Sequence, residues 1–175
     1  MIALQPFDAT CYARLIEWVD SEESLMQFAG PAFSFPLTED QLEKSLSDKK
    51  RFAFSVIDKS RKEAIGHSEI YLAENSAYLG RILIGDASLR GQGIGQQTVA
   101  LLLEYAFINL QQSKAELNVF DWNVSAIRCY QKCGFVINPS KKLERKVNGK
   151  IWIAINMVLT KEQWLQSKDP LLANQ

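Results

Sequence analysis

The first fifty residues combine one short apolar segment with two segments of helical periodicity. Residues 2–4 are apolar and predict an edge strand. Asp8 is a favourable N-cap residue, and apolar side chains then recur at helical spacing as far as Val19, which predicts a helix between them. Thr38 and Gln41 have the spacing of a capping box and open a second helix. The stretch between the two helices contains glycine and prolines and is predicted to form turns.

Three strands are predicted to follow one another directly in the middle of the chain. Residues 52–57, 64–72 and 77–84 are rich in β-forming side chains and are separated by turn residues. The period then changes, because apolar side chains recur at every third or fourth position. This pattern predicts a helix from about 95 to 111 that is apolar on nearly all sides and therefore well buried.

The last third of the chain predicts one more helix between strands. Residues 116–120 favour a strand, and residues 124–133 favour a short helix that Gly134 ends. Two further strands are joined at Asn148 and Gly149, a favoured hairpin turn. The predicted order is β-α-α-β-β-β-α-β-α-β-β. This order is typical of an α/β fold with a mixed, mostly antiparallel sheet of about seven strands and about four helices.

Length and composition indicate one globular domain. The chain has 175 residues, of which 47% are hydrophobic and 23% charged. We expect a single domain over residues 1–160 and a tail over 161–175 that can form a short helix. The N-terminus lacks the pattern of a secretory leader, and the apolar runs are shorter than the ~20 residues that span a bilayer. A cytoplasmic protein without a membrane partner is therefore expected.

The charges balance overall but are unevenly distributed. Twenty basic and twenty acidic residues give no net charge, which argues against a duplex nucleic acid as partner. Residues 1–50 carry a net charge of −5 and residues 126–150 a net charge of +6. Two interpretations of this uneven charge are equally good. One is ordinary surface variation, and the other is an acidic half that attracts a cation together with a basic half that attracts an anion.

The cysteines and the histidine do not predict a metal site. Cys11, Cys129 and Cys133 are an odd number in a long chain, which makes a disulfide framework a poor interpretation. His67 is the single histidine, so a zinc site has too few ligands.

A glycine-rich loop precedes the long helix. The loop reads Arg90-Gly91-Gln92-Gly93-Ile94-Gly95 and leads into Gln96. Alternating glycines let backbone N–H groups turn toward one point, where the positive end of the following helix adds to the field. Arg90 supplies a cation, so the loop is suited to a pyrophosphate. The spacing matches neither Walker A nor the dinucleotide fingerprint.

Two motifs resemble the GNAT superfamily of N-acetyltransferases. Arg90-x-x-Gly93-x-Gly95 resembles its acetyl-CoA pyrophosphate signature. The second motif lies downstream at the expected distance: Asn123-x-x-Ala126-x-x-x-Tyr130-x-x-x-Gly134-Phe135. Further positions resemble the branch of ribosomal-protein-alanine and spermidine acetyltransferases. They are Leu4, Asp8, Trp18, Pro36, Thr38, Ile82, Leu83, Ile84, Gly85, Asp86 and Trp164.

The resemblance implies acetyl-CoA as co-substrate, direct transfer of acetyl to an amine, and no metal. In the family, the fourth strand bulges and leaves N–H groups free for pantetheine and the acetyl carbonyl. These positions carry over to Leu83, Ile84 and Gly85. Asn123 is expected to bind the pantetheine arm or to cap the short helix.

The resemblance also suggests which residues move protons. Tyr130 matches the tyrosine that protonates the departing CoA thiolate, a role that fits the pKa of a phenol; a buried core aromatic is the alternative. Glu69 is the preferred general base, with Asp121 second and His67 a competitor on the same strand face. The predicted fourth strand itself contains no carboxylate.

The acceptor and the partners are less determined. A protein N-terminus, a polyamine and another small amine all fit, and a non-catalytic acyl-CoA-binding module is the alternative function. A homodimer is compatible with the resemblance. Four carboxylates lie near the wall that forms the acceptor cleft in the family and favour a cationic amine. They are Glu22, Glu23, Glu39 and Asp40.

Overall fold

The computed structural model describes residues 1–168. Seven strands occur in this range: β1 (Ile2–Pro6), β2 (Arg51–Asp58), β3 (Glu63–Leu72), β4 (Ala77–Ile84), β5 (Lys114–Phe120), β6 (Val136–Val147) and β7 (Lys150–Thr160). The α-helices in the same range are α1 (Tyr12–Trp18), α2 (Glu22–Ala29), α3 (Glu39–Leu46), α4 (Ile94–Glu104), α5 (Val124–Lys132) and α6 (Lys161–Lys168). The described part therefore has six α-helices where the sequence predicted about four.

The additional N-terminal helix lies where turns were predicted. Ser21 is the N-cap residue of helix α2. Its hydroxyl accepts from Ser24 N at 3.1 Å, and its own N–H donates to Ser24 Oγ at 3.0 Å. Glu22 and Glu23 follow in the first turn, where carboxylates favour the helix dipole. The single helix predicted from Asp8 is also corrected, because Asp8 caps a 3-10 turn and α1 begins only after it.

Several predicted helix and turn signals are found with local differences. Thr38 caps α3 through the N–H of Gln41 at 3.4 Å, but the Gln41 amide bonds the carbonyls of Ser34 and Pro36 and does not close the box. The hairpin at Asn148 and Gly149 is confirmed, with φ of 46° and 76° as a type I′ turn requires.

The predicted long helix and the predicted helical tail both form, with different ends. The helix predicted from about 95 to 111 corresponds to α4, which ends at Glu104. A π-helical turn at Tyr105–Asn109 continues it. The predicted tail forms α6 up to residue 168, and its remainder lies outside the described residues.

The strands form one sheet in the order β1-β2-β3-β4-β5-β7-β6. Every neighbouring pair is antiparallel except β4 and β5, which are parallel. The predicted mixed, mostly antiparallel sheet of seven strands is therefore confirmed. Helices α4, α5 and α6 cover one face, where Val99, Leu102 and Phe107 of the α4 segment meet the apolar side chains of the central strands.

Helices α1 to α3 cover part of the other face. Leu15, Leu25 and Leu42, one from each helix, pack together over β2 and β4. The half of this face that β5, β7 and β6 form borders a cleft, which is lined there by Asn118, Arg145 and Ala154 among others. Between residues 1 and 168, no helix has both the length and the apolar character of a bilayer span.

Candidate active site

The site begins where β4 and β5 part. Among the described residues the two strands pair at Ala77 with Ala115 and at Tyr78 with Glu116. Beyond these pairs the strands diverge and leave a gap in the sheet. Parallel neighbours normally bond along their length, so the backbone groups on this edge of β4 are left for another partner.

A bulge in β4 shapes the gap. His67 of β3 pairs with Leu83, whereas Glu69 pairs with Gly80, so β4 contains one more residue than β3 in this interval. Arg81 lies within the bulge and has a φ of +49°. A bulge bends its strand and redirects its backbone groups. The family resemblance implied a bulge at Leu83 to Gly85, whereas in the structure the bulge lies upstream, at Arg81.

Three residues were predicted to present N–H groups, Leu83 and Ile84 of β4 and Gly85 after it, and of these Ile84 faces the gap. The N–H of Gly85 donates to the carbonyl of Ile65 on β3 at 2.9 Å, so it is not free. Alternate residues of a strand direct their backbone groups to opposite neighbours, which turns Ile84 away from β3. The Ile84 carbonyl accepts from Arg90 Nε at 3.4 Å. Leu83 pairs with β3 and packs its side chain among α1 to α3.

Gly85 has a packing role instead. A Cβ at this position would lie 2.0 Å from the Trp18 ring of α1. The glycine therefore allows α1 to lie against the end of β4, and any side chain there would displace the tryptophan.

The glycine-rich loop connects β4 to α4. The Asp86 carboxylate caps the preceding 3-10 turn through Ser88 N and Oγ at 2.8 and 2.6 Å. Gly91 and Gly93 have φ of +76° and +78°, and a Cβ on either would meet no described atom within 4 Å. The loop is thus an open cradle that glycine alone fits without strain.

The remaining loop residues hold the cradle in place. Gln92 Nε2 donates to the carbonyl of Ser88 at 2.8 Å. Gly93 is the N-cap residue of α4, so Ile94, Gly95 and Gln96 form the first turn, whose N–H groups have no partner within the helix. A Cβ on Gly95 would lie 3.7 Å from Cys129 Sγ, which shows how closely α4 and α5 approach here.

One continuous cleft of about 1120 Å³ runs from this loop through the gap to the start of β2. Near the loop it is lined by Arg90, Arg128 and Lys132. Three positive charges beside free helix N–H groups match a pyrophosphate and a further phosphate, so these residues fit the phosphates of acetyl-CoA.

Tyr130 lies in the wall of the cleft on α5. Its ring packs edge-on to Phe135 with centroids 6.2 Å apart, and it contacts the main apolar core. Burial, followed by the neighbouring thiols Cys129 and Cys133, raises the pKa of the Tyr130 phenol above its usual range. The phenol is therefore protonated at neutral pH, and it is a weaker acid than a free tyrosine.

Asn123 caps the helix that carries Tyr130. Its Oδ1 accepts from Ala126 N at 3.3 Å and from Ser125 Oγ at 3.2 Å. Of the two roles foreseen for Asn123, the structure therefore shows the cap, and the residue also lines the cleft.

Glu69 lies at the far end of the cleft in a buried ion cluster, with a side chain that is 5% exposed. It bonds Arg51 at 2.6 Å, Arg81 at 3.1 Å and His67 Nε2 at 3.0 Å. Burial alone would raise the pKa of Glu69, but the His67 hydrogen bond and the charges of Arg81 and Arg51 outweigh it and lower the pKa to about 2. Such a carboxylate is a poor proton acceptor at neutral pH, which argues against its predicted role as general base.

Neither alternative base is better placed. His67 is 1% exposed and lies between the rings of Phe7 and Phe28, at 4.4 and 5.7 Å. Asp121 follows β5, is exposed, and is absent from the cleft lining within the described part of the chain. The same range contains no group of three His, Cys, Asp or Glu side chains that could hold a metal ion.

The sequence did not indicate the residues that accompany Glu69. Arg51, Tyr71, Tyr78, Gly80 and Arg81 all line this end of the cleft. They come from three strands, and strand register alone brings them together. Alternation along each strand would have placed Arg51, Tyr71, Tyr78 and Gly80 on one face, but it would have turned Arg81, which directly follows Gly80, to the other face. It could not have identified the partners of any of these side chains.

The mouth of the cleft lies beside an aromatic cluster. Trp122 and Trp152 meet edge to face with centroids 5.1 Å apart. Across from them, Asn148 of the β6–β7 hairpin donates to the carboxylate of Glu23 on α2. Among residues 1–168, the cleft lining contains neither Glu23 nor the other three N-terminal carboxylates that were expected to form an acidic wall.

Comparison with known families agrees with this geometry. The sequence profile of the acetyltransferase (GNAT) domain matches residues 2–136. The chain belongs to the GNAT acetyltransferase family. It is therefore an acetyl-CoA-dependent N-acetyltransferase, and the predicted enzyme class is confirmed.

Several relatives of this GNAT protein cover most of both chains. A spermidine N(1)-acetyltransferase of Vibrio cholerae is 25% identical over 162 residues, covering 89% of this chain and 91% of the relative. An N-acetyltransferase 9-like protein of Nematostella vectensis is 24% identical over 146 residues, covering 77% and 74%. The crystal structure of the Vibrio cholerae spermidine N-acetyltransferase with CoA and spermine has a TM-score of 0.77 at 24% identity, covering 94% of this chain and 98% of that one.

Proposed function

We propose that this cleft transfers the acetyl group of acetyl-CoA directly to a primary amine. The observation that carries the proposal is the continuity of the cleft: the open glycine cradle, the unpaired edge of β4 and the Tyr130 side chain all border one space. The cradle would hold the pyrophosphate, and the gap would admit the pantetheine arm. Acetyl-CoA supplies an activated thioester, and the protein supplies position and protons.

Proton movement on the donor side would depend on Tyr130. The nitrogen of the acceptor attacks the carbonyl carbon, the carbon–sulfur bond breaks, and the sulfur leaves with the electron pair. The Tyr130 phenol, kept protonated by its surroundings, gives that sulfur its proton. The backbone N–H of Ile84 faces the gap and is suited to the carbonyl oxygen, where negative charge develops.

On the acceptor side the structure supports loss of the amine proton to water. Glu69 is already held by two guanidinium groups, so it does not attract a proton. The same guanidinium charges disfavour an ammonium ion nearby, which promotes the neutral amine that can attack. A general base is not required in this arrangement.

Two alternatives are separated by one experiment. A polyamine acceptor is suggested by the names of the spermidine acetyltransferase relatives, and a non-catalytic acyl-CoA-binding module keeps the same fold. Thiol release from acetyl-CoA is measured with a panel of diamines, polyamines, amino acids and N-terminal peptides. Tight CoA binding without thiol release for any amine would favour the binding module.

A further inference from the structure

The acceptor end of the cleft contains a row of matched residues across three strands. Arg51 of β2 pairs with Tyr71 of β3, and Tyr71 pairs with Tyr78 of β4. Adjacent strands lie about 4.8 Å apart, so the row leads from the β4 edge of the gap to Arg51 over roughly 10 Å. All three side chains line the cleft.

Arg51 has unused hydrogen-bonding capacity at the end of this row. Its guanidinium carbon lies 5.1 Å from the centroid of the Tyr71 ring, and Nη1 bonds Glu69 at 2.6 Å. Its Nε is buried and has no hydrogen-bond partner among residues 1–168. The Arg51 side chain as a whole is 18% exposed and lines the cleft. A buried N–H without a partner carries a cost, so the pairing of this guanidinium is incomplete.

Glu69 does not neutralise this end of the cleft. It is shared between Arg51 and Arg81, so one carboxylate faces two guanidinium groups. Asp20 is the other acidic residue in the cleft lining that the structure describes. Arg81 is further held over the Phe33 ring at 4.1 Å and by Ser45 Oγ at 2.8 Å, which leaves Arg51 as the free end of the pair.

Gly80 provides the space for a ligand beside this charge. It pairs with Glu69 across β3 and β4, and a Cβ built on it meets no described atom within 4 Å. The cleft is therefore open between the gap in the sheet and the Arg51 row. A positively charged and partly desolvated site of this kind favours a carboxylate and disfavours a second ammonium group.

We propose that the acceptor is a small primary amine that also carries a carboxylate, and that Arg51 binds the carboxylate while the amine reaches the gap beside β4. This inference rests on the proposed function and names the substrate class of that site. It differs from the cationic acceptor that the N-terminal charge suggested and from the polyamines in the names of the relatives. Arg51 is then a specificity-determining residue.

The test uses linear amines that differ only in the charge of the far end. Thiol release from acetyl-CoA is measured as kcat/KM for n-butylamine, 4-aminobutyrate and putrescine, and again for the six-carbon series. We expect the amino acid to exceed the neutral amine by about ten- to hundredfold, the range for a charged hydrogen bond, and the diamine to be the poorest. A preference for putrescine or the longer diamine would overturn the proposal.

Variants assign the preference to Arg51. Arg51→Gln should bring the ratio of 4-aminobutyrate to n-butylamine close to one, whereas Arg51→Lys should keep part of it. Arg61→Gln is the matched control, because Arg61 is 51% exposed in surface ion pairs with Asp58 and Asp86 and should leave the ratio unchanged. Circular dichroism and the affinity for CoA verify that each variant is folded. A ratio that Arg51→Gln leaves intact in a folded protein contradicts the assignment.

Binding separates this inference from the proposed function. If no amine supports thiol release, acetyl transfer to small amines is refuted. Calorimetry of the CoA-loaded protein with 4-aminobutyrate and with putrescine then still decides the charge preference. Weaker binding of 4-aminobutyrate than of putrescine would overturn the carboxylate site independently of catalysis.

Discussion

The Tyr78 hydroxyl donates to the Glu116 carboxylate at 2.9 Å, and these two residues are the last matched pair before β4 and β5 part. Glu116 is buried, and it also binds Lys114 at 2.7 Å and Lys141 at 3.3 Å. The gap in the sheet therefore begins at a fixed point, because a side-chain hydrogen bond joins the two strands at their last paired residues.

Protonation of Glu116 should weaken this junction. Burial alone would raise the pKa of Glu116, but hydrogen bonds from Lys114, Tyr78, Lys141 and Ser76 lower it to about 2. A carboxylate with a lowered folded-state pKa stabilises the protein above its unfolded pKa of about 4.5, and this contribution is lost as the pH falls toward 2. In urea unfolding, the difference in stability between wild type and Glu116→Gln should shrink between pH 5 and pH 3. A constant difference would show that Glu116 charge does not stabilise the junction.

Substitution of Gly93 should remove CoA binding. Gly93→Val places a side chain in the open cradle, and its left-handed backbone adds about 1–2 kcal/mol of strain. Gly149→Val is the matched control, because Gly149 has a φ of +76° and equally open surroundings in the distant β6–β7 hairpin. Calorimetry should show CoA affinity reduced at least tenfold for Gly93→Val and unchanged for Gly149→Val. Equal affinities for CoA would place the phosphates elsewhere.

Tyr130→Phe tests the proton donor. The ring stays and the hydroxyl is lost, so kcat should fall about 10²–10⁴-fold if protonation of the thiolate limits the rate. KM for acetyl-CoA should change little. Tyr105→Phe is the control, because Tyr105 packs on Phe54 at 5.0 Å, away from the cleft lining. Full turnover by folded Tyr130→Phe would show that Tyr130 is a packing residue and not the proton donor.

Glu69→Gln distinguishes a general base from a structural anion. Because the Glu69 pKa is about 2, its titration lies far below neutral pH. The rise of kcat/KM with pH should therefore follow the pKa of each acceptor amine, in wild type and in the variant alike. Unfolding should occur at lower urea concentration, since Arg51 and Arg81 lose their shared anion. If kcat/KM rose with pH in wild type but not in Glu69→Gln, the Glu69 carboxylate would be the general base.

Gly80→Val should block the acceptor without affecting the donor. Valine is compatible with a strand, and open space surrounds the position. The KM for the amine should rise at least tenfold, and the CoA affinity measured by calorimetry should stay within twofold. An unchanged KM for the amine would move the acceptor away from β4.

The sequence predicted the parts of the site that are local. The glycine loop and its helix are contiguous, so residues 90–96 could be identified before any fold was known. The helix α2 was missed although its Ser21 and Ser24 capping pair was readable, because the nearby glycine and prolines suggested turns. The bulge at Arg81 could not be predicted, since an arginine gives no signal of a positive φ. Glu69 was predicted to be the general base, a role that its two arginine partners argue against, and these partners depend on strand register.

The two-pair junction between β4 and β5 also determines which amides exchange with solvent. Among residues 1–168, backbone N–H groups on the gap edge of β4 lack a strand partner, so in the free protein they should exchange deuterium rapidly despite lying inside a sheet. A ligand in the gap would cover and bond them. Slowed exchange around Ile84, next to unchanged exchange in β2, would therefore report occupancy of the cleft directly, with no turnover needed to observe it.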